Sequence, residues 1–158
     1  MSRADQARDY FKQGLNCAQA VVLAFSDLTG LDRETLLKLS APFGGGMGRM
    51  REVCGTVSGM MMVAGMVFYD PASPSSSEKS ALYAREQELA ARFRAQNGSI
   101  ICRELLAGVS TQPGTQAEAR TQEYYKKRPC AELCACAAQI LEESLAEQGV
   151  LSSDGEKL

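Results

Sequence analysis

Six cysteines and no histidine define the chemistry open to this 158-residue chain. Without imidazole there is no Ser-His or Cys-His couple, no zincin helix and no CxxCH haem attachment. A metal would have to be held by Cys, carboxylate, Met or backbone oxygen. The cysteines are Cys17, Cys54, Cys102, Cys130, Cys134 and Cys136, and no two have CxxC spacing. Thioredoxin-like dithiol chemistry and the common zinc-knuckle spacings are therefore not supported. Thiolate is both the nucleophile and the metal ligand, so the surroundings of each sulfur decide what it can do.

Those surroundings are helical. Apolar residues recur at helical spacing along most of the chain, and sustained alternation is absent, so an all-α fold follows. The length predicts one domain, a single helical bundle over 1–151 with a loose tail at 152–158. Ala4, Ala7 and Phe11 line a first helix that stops at Gly14, and Asn16 caps a second that carries Val21, Phe25 and Leu28 to Gly30. Asp32 caps a third with Leu36, Leu37 and Leu39, and the run Pro42 to Arg49 breaks the pattern. Residues 53–69 are apolar on every side and predict a buried central helix. Gly55, Thr56, Ser58, Gly59 and Gly65 interrupt them, and they fall short of the roughly 20 apolar residues a membrane span needs.

A loop over 70–77 leads to a helix with Leu82, Leu89 and Phe93 inward and Arg85, Glu86, Glu88 and Arg92 toward water. Ser99 caps a short helix closed by Gly108. Thr115 to Glu118 fits a capping box, and Pro129 opens a last long helix lined by Leu133, Ala137, Ile140 and Ser144.

On this map Cys17, Cys54, Cys102 and Cys130 each start a helix. The unpaired N–H groups and the positive dipole end there favour thiolate over thiol, so four converging starts would build a cluster of thiolates. The plainer reading of any one of them is a small buried hydrophobe. Cys134 lies one turn beyond Cys130 on the same face, placed to act as a resolving thiol or extra ligand, whereas Cys136 points elsewhere and reads as core.

The stretch Gly14-Leu15-Asn16-Cys17-Ala18-Gln19-Ala20, the run Gly44-Gly45-Gly46-Met47-Gly48-Arg49, then Cys54-Gly55-Thr56-Val57-Ser58-Gly59, Cys102-Arg103-Glu104-Leu105-Leu106 and Cys130 form an ordered set. It resembles the redox-active family named for its C, CGAxxG, C, C signature, with Thr56 standing where that family usually has alanine. The resemblance implies a small helical redox protein in which Cys17, Cys54, Cys102 and Cys130 are iron–sulfur ligands or redox thiols. Some relatives are joined to haem-binding segments in split-Soret cytochromes; haem c is not expected here, since His and CxxCH are missing.

Electron transfer or redox sensing through an iron–sulfur cluster is thus the leading expectation, with an unidentified redox partner protein. A metal-free thiol–disulfide oxidoreductase is the second, with Cys54 or Cys17 attacking. A binding or scaffold protein with buried or zinc-bound cysteines is the third. Gly55 and Gly59 have small-xxx-small spacing that would admit a helix, a cluster or a second subunit, so a homodimer is permitted. Gly45 and Gly46, within a run whose N–H groups can turn toward an anion, join them as cofactor-binding candidates. GxxxxGK is absent, so this run is not a phosphate loop.

Six of the seven methionines lie between Met47 and Met66, and Met60-Met61-Met62 face three directions, as core packing requires rather than Cu(I) ligation. Arg49, Arg51 and Lys126-Lys127-Arg128 read as solvated charge, or as positive charge near thiolates or a docking partner. The net charge of −2 disfavours nucleic acid. The N-terminus has no secretory pattern, so a cytoplasmic location with reduced thiols is expected.

Overall fold

The computed structural model describes residues 1–158 and contains helices with two isolated β-bridges and no sheet. Helix α1 (Arg3–Lys12) is capped by the Ser2 side chain and buries Ala7 and Phe11. Helix α2 (Cys17–Leu23) begins with a capping box, in which Asn16 and Gln19 each satisfy the other's backbone N–H. It ends well before Leu28. The chain breaks at Ala24 and Phe25 and resumes as α3 (Ser26–Thr29), which closes on left-handed Gly30. A side chain accounts for the break: Arg3 Nη1 donates to the Ala24 carbonyl at 2.9 Å, taking an acceptor that a continuous helix would use, and stacks over the fully buried Phe25 ring.

Helix α4 (Arg33–Ser40), capped by Asp32, runs into a 3-10 turn at Ala41–Phe43. Helix α5 (Gly55–Phe68) lies at the centre, with Val57, Met60, Val63 and Ala64 fully buried. Its other face is only half covered: Met61, Met62 and Met66 line an open groove with Leu39, Tyr69 and Leu82. A Cβ at Gly59 would meet Val21 and the Ala18 carbonyl, so the small-residue face admits α2 of the same bundle.

Helix α6 (Ser76–Asn97) is capped by Ser75, closes on Gly98 and buries Leu89 and Phe93. Glu86 does not face water as expected but turns into the groove beside α5. Helix α7 (Cys102–Leu105) is a single turn. Residues 115–118 form no helix, because Glu118 is drawn to arginines rather than to a cap; helix α8 (Gln122–Lys127) starts later, on a Thr121 cap. Helix α9 (Cys130–Glu147) packs against α1 and the central helices, burying Leu133, Ala137, Ile140, Leu141 and Leu145. The segment 152–158 turns back on the end of α9. Leu151 bridges Lys157, Leu158 N–H donates to Val150, and Arg3 donates to the Gly155 carbonyl. No helix is long and apolar enough to cross a membrane.

Candidate functional site

The starts of α2, α5, α7 and α9 surround one cavity of about 60 Å³, lined by Cys17, Cys54, Cys102 and Cys130. Cys17, Cys102 and Cys130 are the first residues of their helices, and Cys54 is the residue before Gly55. Short antiparallel backbone links tie together the segments that carry Cys54 and Cys102. Val53 bridges Ile101, Cys54 N–H donates to Ile100 at 2.7 Å, and Cys102 N–H donates to Glu52 at 2.6 Å.

The glycines divide by role. A Cβ at Gly55 would stand 2.5 Å from the Cys17 sulfur, and one at Gly46 would stand 2.6 Å from Cys102 Cβ. Both positions are therefore empty so that a cysteine can fit. Gly45 lines the cavity and turns its N–H toward the Cys17 sulfur. Gly59, a cofactor-binding candidate from sequence, only packs against α2.

Around Gly45 the backbone adopts an uncommon form. Gly45, Gly46, Met47, Gly48 and Arg49 are consecutive residues with positive φ, and Arg51 follows at φ 60°. Each non-glycine held there costs on the order of 1 kcal/mol. The turn is secured by Arg51 N–H to Gly45 and Glu52 N–H to Gly46, at 3.1 and 2.9 Å. It delivers Arg49 and Arg51 to one carboxylate: Glu118 receives Arg49 at 3.2 Å, Arg51 at 3.8 Å and Arg128 closest of all. Lys126 and Lys127 remain exposed, so the basic run splits between solvent and site.

Arg120, which sequence reasoning missed, donates to the Phe11 and Leu15 carbonyls and stacks on Phe11, Tyr124 and Tyr125. The carbonyls it holds lie more than a hundred residues away in sequence, and only Tyr124 and Tyr125 are local partners. With Arg51 and Arg128 it lines the cysteine cavity.

The electrostatics run against the expected helix-start effect. Burial pushes the Cys54 and Cys130 thiols up to about 12, and raises Cys17, where N–H groups of Gly45 and Ala18 only partly oppose it. Neighbouring cysteines push the same way. Desolvation outweighs the dipole because these helix starts face inward rather than toward water. The hydroxyl of Thr56 lies 3.1 Å from the Cys54 sulfur, so the residue that departs from the family pattern contacts the site.

Cys134 sits behind the cavity, fully buried, with its sulfur 3.9 Å from the Cys17 carbonyl. Cys136 lies outside the cavity: it is half-buried and packed against the core, and its sulfur lies 3.2 Å from Gln96 Oε1 and 3.4 Å from Asn97 Nδ2.

No three cysteine or acidic side chains are grouped closely enough to hold one bare ion. Tetrahedral zinc would need four sulfurs about 4 Å apart. An iron–sulfur cluster spreads its thiolates over several irons and takes four cysteines, which is the donor set around this cavity. The adjoining arginines would offset the negative charge of four thiolates.

No curated protein and no solved structure matches the chain. Residues 15–144 match the family described as "Putative redox-active protein (C_GCAxxG_C_C)", a stretch that includes all four cavity cysteines. The chain belongs to the C_GCAxxG_C_C redox-active family.

Proposed function

We propose that Cys17, Cys54, Cys102 and Cys130 together hold an iron–sulfur cluster, through which the protein transfers or senses electrons with a redox partner protein. The observation that carries this reading is the convergence of four cysteines, from four separate helix starts, on one small cavity. When bound, a cluster supplies one-electron exchange without loss of a heavy atom. The residues of the chain hold and tune it. The Gly45 N–H, the Thr56 hydroxyl and Arg51 Nη1, 3.8 Å from the Cys102 sulfur, are positioned to donate toward sulfur, which raises a cluster's potential. Leu105, Leu106, Leu133 and Phe11 close the apolar side against water.

The thiol–disulfide reading needs an accessible thiolate near neutral pH, and burial opposes one at Cys17, Cys54 and Cys130. The test is anaerobic purification followed by visible absorbance and assay of iron, zinc and acid-labile sulfide, repeated on Cys54→Ser. Iron with sulfide, lost in the variant, is the expected result. A colourless protein containing neither overturns the proposal.

A further inference from the structure

A second cavity, of about 320 Å³, adjoins the cysteine site and is lined by Arg49, Arg51, Arg120 and Arg128, with Glu118 as its single carboxylate. Gly45, Arg51, Arg120 and Arg128 line both cavities, and a Cβ at Gly45 would stand 2.8 Å from Arg49 Cγ. Four guanidinium groups thus share one negative charge. These are not long side chains waving in solvent: Arg49, Arg51 and Arg128 have side chains only 13%, 18% and 5% exposed.

Three of the four have their needs met. Arg49 donates to the Gly114 and Gln112 carbonyls and to Glu118. Arg128 donates to Glu118 and stacks on Tyr124, and Arg120 holds the two carbonyls of α1 and its turn. Arg51 is different. Its side chain reaches the Cys102 sulfur at 3.8 Å and Glu118 at 3.8 Å, the second as an ion pair, and makes no hydrogen bond to an oxygen of the chain. Its guanidinium therefore has donors that no oxygen of the chain occupies and that face the cavity, and the backbone that places it there is held at positive φ.

We propose that this cavity is a binding site for a small oxyanion, with Arg51 as its principal donor. The planar guanidinium fork matches phosphate, sulfate and carboxylate oxygens alike. Position adds a reason: Arg51 lines both cavities, and its Nη1 lies 3.8 Å from the Cys102 sulfur. The site would thus bring an anion next to the redox centre. The inference does not depend on what the cysteines hold.

The test uses the protein as purified, titrated calorimetrically with phosphate, sulfate and acetate against chloride at matched ionic strength, with iron assayed in parallel. One saturable site for at least one oxyanion is expected, and its preference among the three separates tetrahedral anions from carboxylates. Arg51→Gln should weaken that binding at least tenfold while leaving the thermal midpoint near wild type, since the side chain bonds no protein oxygen. Glu118→Gln should tighten it, or be restored in stability by the anion more than wild type is. Oxyanions indistinguishable from chloride, or an Arg51→Gln protein that binds as well as wild type, overturn the proposal. Iron absent with anion binding intact overturns only the cluster reading.

Discussion

Gly55 and Cys17 meet so closely that a β-carbon at position 55 would lie 2.5 Å from the Cys17 sulfur and 2.9 Å from the Phe43 carbonyl. The first residue of the central helix is a glycine because the first residue of α2 is a cysteine. Alanine normally favours a helix over glycine by about 1 kcal/mol, but here it would drive apart two helix starts. Gly55→Ala should therefore destabilise by about 1–3 kcal/mol and reduce iron loading. Gly65 in the same helix has nothing within 4 Å of its would-be Cβ, so Gly65→Ala should stabilise by about 0.5–1 kcal/mol. Urea denaturation of the two variants checks both signs, and a stabilised Gly55→Ala would refute the steric account.

Burial of the thiols makes a kinetic prediction for the metal-free chain. With Cys54 and Cys130 pushed up to about 12, their thiolate fraction at pH 8 is about 10⁻⁴, on the order of a thousandfold below that of a free cysteine. Iodoacetamide followed by peptide mass mapping should label Cys136, which lies outside the cavity, ahead of Cys54 and Cys130. Labelling of those two should accelerate about tenfold per pH unit up to pH 10, as their small thiolate population grows. Rapid labelling of Cys54 at pH 7 would restore the thiol-exchange reading.

Local signals were legible and distant ones were not. Asn16, Asp32 and the glycines at 30 and 98 bound their helices as their backbone chemistry requires. Asn16 and Pro129 place Cys17 and Cys130 at helix starts, whereas the helix of Cys102 opens after Ile101 rather than on the expected Ser99 cap, and that of Cys54 has no side-chain cap. What failed each time was a competitor from elsewhere in the chain. Arg3 took the Ala24 carbonyl and broke a helix that periodicity had continued. Arg128 and Arg49 took Glu118 from its capping box. At Cys17, Cys54 and Cys130 burial favours the thiol over the expected thiolate, because a helix start can face a closed cavity as well as water, and spacing carries no information on which it faces.

The Arg3 interaction gives the fold an acid-sensitive joint. Both guanidinium nitrogens bond Asp27, at 2.7 and 2.8 Å, and this pairing holds the Asp27 carboxyl below its ordinary value. A lowered carboxylate pKa contributes stability that is present above about pH 4 and lost as pH falls through the folded-state value. Asp27→Asn should cost about 1 kcal/mol at pH 7, and its difference from wild type should vanish in acid. Paired urea titrations at pH 7 and pH 2.5 would show this, and a constant difference would remove the ion pair as its cause.

Glu86 has the opposite sign. Its carboxyl turns into the groove formed by Met61, Met62 and Met66, Oε2 is buried without a hydrogen-bond partner, and neighbouring Arg85 is stacked 3.9 Å over the Phe68 ring instead of pairing with it. Burial raises the group from 4.5 to about 7. The folded chain then binds the proton more tightly than the unfolded chain does. Stability contributed by protonated Glu86 is intact below about pH 4.5, declines as pH rises toward 7, and is gone above it. Glu86→Gln keeps the shape without the charge, so it should exceed wild-type stability by about 1–2 kcal/mol at pH 8 after allowance for solvent screening, and by little at pH 4.5. Urea midpoints for both proteins at the two pH values decide the matter. Equal midpoints at pH 8 would mean that Glu86 swings out to water when ionised and that the groove can do without it.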